Sequence, residues 1–287
     1  MASKQLSAVI VQKFIPPRKA LSRKGDNGTV LVVGGSYIYH GAPILSSIAA
    51  LRCGTDLVYT SVPKINVAST RSVSPNLIVI PLVDQKLTRG AVNKLLGAIP
   101  KNLDSATIGM GLAIQEKNAL LVLVKSLLDK DVRLSLDASA LIPDVLPLLS
   151  DKNVVVTPHA GEFKRLFGEV PPGPQKERVS LVEKKASEFG ITVLLKGATD
   201  VISNGKMTYL YTKKIPAMTV GGTGDVLSGL TAGMLAKNRN SLESAAAATF
   251  INGLAGKAVQ KKFGLHMTSM DLLTEIPQVM KPFDKIV

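Results

Sequence analysis

The 287-residue chain contains no tryptophan, one cysteine and three histidines, and aromatic residues make up 4% of it. A single cysteine, Cys53, excludes a disulfide within the chain and is typical of proteins kept in a reducing interior. We expect Cys53 to be a small buried residue. Because aromatic residues are scarce, the core must be built mainly from aliphatic and alanine side chains. Three widely separated histidines argue against a histidine-based metal site.

Long apolar runs and basic blocks are also missing. No segment approaches the roughly 18 to 20 apolar residues that span a bilayer, and the N-terminus shows no secretory signal. The sequence therefore predicts a cytoplasmic protein without a membrane partner. The net charge is +14, but its lysines and arginines are scattered and few aromatics accompany them. This pattern disfavours a nucleic-acid partner and is compatible with a polyanionic small substrate.

Short runs rich in β-branched residues recur along the chain, with helical patterns between them. The runs are continuous rather than alternating, which is typical of strands that are buried on both faces. Strand and helix alternate, so the sequence predicts an α/β fold with a mostly parallel central sheet covered on both sides. The predicted strands are Thr29–Gly35, Asp56–Pro63, Asn76–Val83, Ala106–Gly111, Val132–Ala138, Asn153–His159 and Thr192–Gly197; the predicted helices between them include Gly41–Gly54, Gln115–Lys130 and Gln175–Gly190.

The pattern changes near the C-terminus. Asn204-Gly205 lies between two strand-like runs and predicts a tight hairpin. Only helices are predicted after it: Thr223–Lys237, Leu242–Phe263 and Ser269–Ile276. The alanine-rich part of the second helix could pack against a neighbouring subunit or within its own core. No linker divides the chain, so we expect residues 1–287 to form a single domain.

The segment "GGTGDVLSG" combines glycines with one acid immediately before a helical pattern. Gly221, Gly222 and Gly224 leave backbone amides bare, and the positive end of the following helix points at the turn. These features predict an anion site that is suited to phosphate. Asp225 would lie beside the anion, where it could accept a proton from an attacking hydroxyl. The alternative is that Asp225 is only the N-cap of the helix.

A second glycine turn, Gly34-Gly35-Ser36, follows the first long strand, and a helix is predicted near Gly41-Ala42-Pro43. Ligands bind at such edges of α/β sheets. The glycine spacing fits neither a dinucleotide fingerprint nor a phosphate-binding P-loop. A plain tight turn is the alternative.

Chemistry-bearing side chains follow other predicted strands. Asp137 ends one strand, and His159 and Glu162 stand at a strand-to-helix turn. Lys196 could neutralise phosphate, whereas Asp200 could hold a ribose hydroxyl or simply belong to the turn. Glu162 could hold magnesium if phosphates are present. His159 could equally be a loop side chain bonded to backbone, and Glu162 an early-helix acid. Because the carboxyl ends of parallel strands meet at one edge, a single cleft could hold them all.

Taken together, the segments "GGSYIYHGAPILS", "GMGL", "LDASAL", "TPHAGEF", "LKGATDVI" and "GGTGDVLSG" resemble the ADP- or ATP-dependent NAD(P)H-hydrate dehydratases of the ribokinase superfamily. The resemblance covers nearly the whole chain, from Lys24 to Pro277. It implies a ribokinase-like three-layer αβα sandwich. It also implies repair of the S-form of NAD(P)H hydrate to NAD(P)H, with ADP or ATP as co-substrate and Mg²⁺ as cofactor.

Site roles carry over from the family by position. The resemblance implies that Asp225 is the catalytic base and contacts the hydrate, and it implies Glu162 for magnesium. The other implied hydrate contacts are Ala42, Gly111 and His159. The implied nucleotide contacts are Lys196, Gly197, Ala198, Thr199, Asp200, Gly222, Thr223 and Gly224.

The chain departs from the family at two positions. Ser139 stands where relatives often have a second aspartate, and Asn252 stands where they often have histidine, so the roles of those two side chains are open. We expect no N-terminal epimerase domain, and family members are often homotetramers. A lone dehydratase domain without a targeting segment favours ADP. The rival predictions are a kinase of the same fold for a vitamin precursor such as hydroxyethylthiazole or pyridoxal, and a non-catalytic nucleotide sensor or nucleic-acid binder.

Overall fold

In a computed structural model, residues 3–212 and 214–287 are described. Their strands form one ten-stranded sheet in the order β1-β10-β9-β8-β7-β6-β5-β2-β3-β4. The strands are β1 (Ser3–Gln5), β2 (Thr29–Val33), β3 (Leu57–Pro63), β4 (Ile78–Leu82), β5 (Ser105–Ile108), β6 (Arg133–Leu136), β7 (Val154–Val156), β8 (Thr192–Leu195), β9 (Thr199–Ser203) and β10 (Thr208–Thr212). The helices are α1 (Ala8–Phe14), α2 (Gly41–Arg52), α3 (Val67–Val73), α4 (Arg89–Ala98), α5 (Lys117–Leu128), α6 (Leu146–Leu149), α7 (Ala160–Phe167), α8 (Gln175–Phe189), α9 (Thr223–Lys237), α10 (Ser241–Phe263) and α11 (Ser269–Met280).

The predicted α/β architecture is confirmed. Every predicted strand is present, and β2 to β8 pair in parallel, as in the register Val30↔Val58 between β2 and β3. The hairpin at Asn204-Gly205 joins β9 and β10, which run antiparallel. Strand β1 and helix α1 were not predicted, because the exposed β1 is a polar tripeptide that pairs with the sheet edge far away in sequence.

The chain changes direction within the sheet between β2 and β5. From β2 it proceeds through β3 and β4 to one edge, and then returns to the other side of β2 and proceeds from β5 through β8. Loops that leave the carboxyl ends of β2 and β5 therefore diverge to opposite faces and leave a crevice between them. The glycine turns at Gly34–Ser36 and Gly109–Gly111 follow these two strands directly.

Alternate residues of the strands supply two cores. Leu31 and Val33 of β2 belong to the cluster that packs against α4, α5, α7 and α8. Val30 and Val32 face the opposite layer, which contains α1, α2, α9, α10 and α11. Burying a side chain of this size stabilises the fold by about 1.5–3 kcal/mol. Helices therefore cover both faces of the sheet.

The alanine-rich helix α10 is part of the core of this chain. Ala245, Ala246, Ala247 and Ala248 are fully buried, and small side chains let α10 lie close to α9. Cys53 is buried in the same layer, as predicted. Although α10 has 23 residues, no helix in the described ranges is long and apolar enough to cross a bilayer.

Candidate active site

The three glycines around the start of α9 differ in their surroundings: packing requires glycine at position 222, but not at positions 221 and 224. Gly222 caps the helix with φ +94°, and a Cβ there would lie 2.5 Å from the Ser269 hydroxyl oxygen. In contrast, a Cβ on Gly221 would meet no atom within 4 Å, and one on Gly224 would meet only Lys196 Nζ, at 3.7 Å. The backbone at Gly221 therefore faces open space and that at Gly224 is covered only by the Lys196 ammonium group, which is compatible with an anion site.

Asp225 is the third residue of α9. Since Gly222 is the N-cap, the alternative that Asp225 serves as the N-cap is wrong. The Ser46 hydroxyl of α2 donates to the Asp225 carbonyl oxygen at 2.7 Å and fixes the start of α9. Burial raises the pKa of the Asp225 carboxyl to about 7, and the charge of Asp137 adds to this effect. A carboxyl with this pKa can act as a general base near neutral pH.

Lys196 lies among carboxylates directly after β8. Its Nζ is 2.8 Å from Oδ1 of Asp137 and 3.6 Å from Oε2 of Glu162. The Thr157 hydroxyl also donates to Asp137, at 2.8 Å. Burial alone would lower the pKa of Lys196, but Asp137 and Glu162 outweigh burial and raise it. Lys196 is therefore a fixed positive charge, and it partly offsets the effect of the two carboxylates on Asp225.

His159 and Glu162 form the cap of α7. Nδ1 of His159 accepts from the backbone amides of Gly161 and Glu162, at 3.0 and 3.2 Å. Oε2 of Glu162 accepts from the His159 amide at 2.8 Å, which completes a capping box. Both residues therefore have the structural roles that the sequence analysis gave as alternatives: His159 bonds to backbone, and Glu162 is an acid in the first turn of a helix. The predicted ligand contacts of His159 and Glu162 stay predictions.

A cavity of about 650 Å³ lies at the crevice between β2 and β5, and we call it the switch-point cavity. Its volume is within the range of small-molecule sites. Tyr37, Ile38 and Tyr39 are largely exposed and leave the cavity open at its mouth. The lining residues are Ser36, Tyr37, Ile38, Tyr39, Ala42, Gln85, Lys86, Gly111, Leu112, Ala113, Ala138, Ser139 and Asp225.

A second cavity of about 510 Å³ lies at the N-terminus of α9, where Thr223 and Gly224 form part of its wall, and we call it the glycine-turn cavity. Its wall contains charged side chains, bare glycine backbone and apolar side chains. The lining residues are Lys196, Gly197, Ala198, Lys214, Ile215, Pro216, Met218, Thr219, Thr223, Gly224, Leu227 and Asn252.

The predicted site residues separate between the two cavities. Of the predicted hydrate contacts, Ala42, Gly111 and Asp225 line the switch-point cavity. Five predicted nucleotide contacts line the glycine-turn cavity: Lys196, Gly197, Ala198, Thr223 and Gly224. His159, Glu162, Thr199, Asp200 and Gly222 are not lining residues of either cavity.

Asp200 is the second residue of β9, directly after the turn that joins β8 to β9. Its side chain is fully buried, and Oδ1 accepts from the Gly197 amide at 2.9 Å. Of the two alternatives for Asp200, this contact matches a turn residue. Asp200 thereby shapes the backbone that lines the glycine-turn cavity.

Sequence reasoning missed several lining residues. Tyr37 and Tyr39 lie in the loop after β2, and Tyr39 Cβ is close to Gly111, whose φ is +63°. Lys86 adds a positive charge to the switch-point cavity, and Lys214 adds one to the glycine-turn cavity. The sequence did offer one signal for this wall. Three bulky residues, Tyr37, Ile38 and Tyr39, follow the glycine turn directly, whereas a solvent-exposed loop is normally polar.

Ser139 and Asn252, the two departures from the family, belong to different cavities. Ser139 Oγ lies 2.7 Å from the Gly109 carbonyl and 2.6 Å from the Leu112 carbonyl. The hydroxyl of Ser139 can donate to these oxygens, which a carboxylate would repel. Ser139 thus joins the loops after β5 and β6 at the wall of the switch-point cavity, whereas Asn252 lines the glycine-turn cavity.

Within residues 3–212 and 214–287, no group of three or more histidine, cysteine, aspartate or glutamate side chains could hold a metal ion. Glu162 and Asp137 are instead close to the ammonium group of Lys196. A site built from protein ligands alone is therefore not formed by the described residues. Mg²⁺ normally needs only one or two carboxylates when phosphates and water supply its other ligands.

Comparisons with known proteins agree with this geometry. The family model described as NAD(P)H-hydrate dehydratase matches residues 30–278. The chain is 83% identical to the ADP-dependent (S)-NAD(P)H-hydrate dehydratase of Nitrosopumilus maritimus, over the full length of both. The Bacillus subtilis ADP/ATP-dependent NAD(P)H-hydrate dehydratase, co-crystallised with ATP and Mg²⁺, superposes with a TM-score of 0.84 at 26% identity, covering 99% of this chain and 100% of that one.

The hydroxyethylthiazole kinase of Pyrococcus horikoshii is more distant. It superposes with a TM-score of 0.64 at 16% identity, covering 95% of this chain and 94% of that chain, and shares the fold alone. The ribokinase-like fold predicted from sequence is confirmed. From the match over most of its length and the close identity to a full-length relative, this chain belongs to the NAD(P)H-hydrate dehydratase family.

Proposed function

We propose that the protein is an ADP-dependent (S)-NAD(P)H-hydrate dehydratase, which restores NAD(P)H from its hydrate. The full-length relative with 83% identity has this activity in its name. The observation that carries the proposal is the position of one short segment. Asp225 lines the switch-point cavity while its neighbour Gly224 lines the glycine-turn cavity. A base thus stands between a site for the hydrate and a site for the nucleotide.

The shape of the switch-point cavity favours a dinucleotide over a vitamin precursor. Its mouth is bordered by exposed side chains of the Tyr37–Tyr39 loop, and its volume is about 650 Å³. A small vitamin kinase needs a compact, closed pocket, whereas a dinucleotide extends beyond the reacting ring. Lys86 in this cavity and Lys214 in the other suit ligands that carry several phosphates.

In the proposed chemistry, phosphoryl transfer converts a poor leaving group into a good one. The hydrate hydroxyl attacks the terminal phosphorus of ADP while Asp225 accepts its proton, so that an O–P bond forms and the bond to AMP breaks. The C–O bond then breaks and phosphate leaves. Loss of a proton from the neighbouring ring carbon restores the double bond. The net products are NAD(P)H, AMP, phosphate and a proton.

The chain's own groups would stabilise the charge that moves in this reaction. The amides of the glycine turn and the positive end of α9 face the transferred phosphoryl group. Lys196, which is positively charged, lies 3.7 Å from where a Gly224 Cβ would be, beside the same backbone. Positioning and electrostatics of this kind are the main contributions that proteins make to phosphoryl transfer.

Magnesium fits this site only as a partner of the nucleotide. With phosphate and water ligands, Glu162 could contact the ion directly or through water, and the ion would neutralise phosphate charge. Thr199 begins β9 and Gly222 caps α9, so both would act by holding the backbone of the nucleotide site. Magnesium dependence, a cytoplasmic location, the single-domain organisation and a homotetrameric state stay predictions.

The decisive experiment separates binding from turnover. Asp225→Ala should bind ADP with nearly parental affinity by calorimetry, because the amide cradle is intact, yet show no recovery of reduced-nicotinamide absorbance from the hydrate. Asp271→Ala is the matched control, since Asp271 is the third residue of α11 and lines neither cavity. Parental turnover by Asp225→Ala would refute the role of this acid. Binding of ADP without turnover by the parental protein would favour a nucleotide sensor.

A further inference from the structure

Helix α10 carries a buried polar side chain, Asn252, on its interior surface. Asn252 lies in the middle of α10 and is 2% exposed. Its Oδ1 atom has no hydrogen-bond partner among the described residues. Leaving such a group unpaired costs about 1–3 kcal/mol. Buried polar groups that stay unpaired in a native protein call for a specific explanation.

Asn252 also lines the glycine-turn cavity, and this supplies the explanation. Rotation about the Cβ–Cγ bond of Asn252 can present either the amide oxygen or the amide NH₂ group to the cavity. A water molecule could also bond to the Asn252 amide, but such a water would not make the site selective for one ligand. The amide is thus an unused donor and acceptor pair on the wall of a ligand-sized cavity.

The surroundings of Asn252 suit a nucleobase rather than a phosphate. Gly224 and Leu227 of α9 both line this cavity and are one turn apart, so the wall changes from bare backbone to apolar side chain. Ile215 and Met218 continue the apolar part, and Met218 packs against Gly256, one turn beyond Asn252 on α10. Phosphates would occupy the glycine turn, which leaves the apolar part for the base.

We propose that Asn252 reads the base of the nucleotide and selects adenine. An asparagine amide can pair with adenine through two hydrogen bonds, because it accepts from the exocyclic amine and donates to the adjacent ring nitrogen. Guanine presents two acceptors on the equivalent edge, so one of them would face the amide oxygen. The proposal rests on the proposed function, since it takes the glycine-turn cavity as the nucleotide site.

The test compares ADP with GDP binding by calorimetry in the parental protein and in Asn252→Leu. We expect the parental protein to bind ADP at least about tenfold more tightly than GDP. In Asn252→Leu the ratio should fall towards one, mainly through weaker ADP binding. Asn252→Ser, which shortens the side chain instead of replacing its amide by two methyl groups, repeats the test if the leucine variant does not fold.

Thr249→Val is the matched control. Thr249 lies three residues earlier on α10 and is fully buried. Its hydroxyl oxygen also has no hydrogen-bond partner within residues 3–212 and 214–287, but Thr249 does not line the cavity. Its replacement should leave the ADP-to-GDP ratio unchanged. A parental ratio that persists in Asn252→Leu and Asn252→Ser would overturn the base contact, and so would equal parental affinities for ADP and GDP.

Failure of the base contact can be told apart from failure of the proposed function. Lys196→Met should weaken ADP and GDP binding by a similar factor, because Lys196 acts on phosphate. If it does so while the ratio in Asn252→Leu stays parental, only the base contact is wrong. If neither nucleotide binds the parental protein, the nucleotide site and the base contact are both wrong.

Discussion

The ammonium group of Lys196 lies 2.8 Å from the Asp137 carboxylate, and the pair joins the ends of β8 and β6 beneath the glycine turn. Lys196 faces two kinds of negative group: protein carboxylates on one side and the proposed phosphate site on the other. Its charge therefore influences the stability of the fold, the affinity for nucleotide and the proton affinity of Asp225.

Lys196→Met should change all three properties. We expect at least about tenfold weaker ADP binding and a loss of stability on the order of 3–5 kcal/mol, because Asp137 would be left buried without its counter-charge. Lys185→Met is a matched control, since Lys185 also bridges two carboxylates, those of Glu169 and Glu188, away from both cavities. Calorimetry and thermal melts of both variants check this. Equal loss of ADP affinity in the two would contradict it.

The rate of hydrate repair should depend on pH through Asp225. The base must be ionised, and its pKa is about 7, so kcat/KM should fall about tenfold per pH unit below that value. In Lys196→Met the apparent pKa should rise, because the nearby carboxylates are no longer offset by a positive charge. Rates across a pH series, with protein integrity checked at each pH, measure this. A profile that is flat from about pH 5 to pH 8 would exclude Asp225 as the base.

Asp225→Asn should stabilise the protein in a pH-dependent way. The pKa is raised from 3.8 to about 7 on folding, so stability falls as pH rises between these values and the full penalty is present above about 7. The variant should therefore gain more than about 1 kcal/mol at about pH 8 and little at about pH 4. Denaturant melts at the two pH values give the difference.

Asp56→Asn provides a control of opposite sign. Burial acts to raise the pKa of Asp56, but hydrogen bonds from Asn27 and Gly25 and the charge of Arg18 outweigh burial and lower it. The ionised carboxylate stabilises the fold above its unfolded pKa, and that contribution is lost as pH falls through the folded pKa. Asp56→Asn should destabilise the protein at neutral pH and less in acid. The same sign for both variants would show that burial, and not the specific partners, governs each site.

Gly224→Ala and Gly222→Ala should separate binding from folding. At Gly224 a methyl group fits beside Lys196 and alanine favours helix, so stability should be unchanged or up to about 1 kcal/mol higher while ADP binding weakens. At Gly222, φ is +94° and Ser269 is too close, so folding itself should suffer. Melts and calorimetry distinguish the two. Unaltered ADP binding in a folded Gly224→Ala would mean that no anion approaches this backbone.

His159 variants test whether the side chain is only a cap. Asn also caps helices, so His159→Asn should keep most of the stability, whereas His159→Ala should lose about 1 kcal/mol. If His159 also contacts the hydrate, both variants should raise KM for the hydrate similarly. If the folded His159→Asn variant has the parental KM for the hydrate, capping α7 is the only role of His159 that these variants support.

The sequence determined the layers, the strands and the glycine turns, because continuous β-branched runs, helical periodicity and glycine positions are local signals. The resemblance of several short segments to one family also required no coordinates.

Only the tertiary structure decided how neighbouring residues divide between roles. Gly222 and Gly224 are two residues apart. The contact with Ser269 requires glycine at position 222, whereas a Cβ at position 224 would meet only the Lys196 ammonium group, at 3.7 Å. Asp137, Glu162 and Lys196 are far apart in sequence, and only the pairing of β6, β7 and β8 brings their charges together. Burial and long-range charge set the pKa of Asp225, and neither quantity is encoded in the residues adjacent to it.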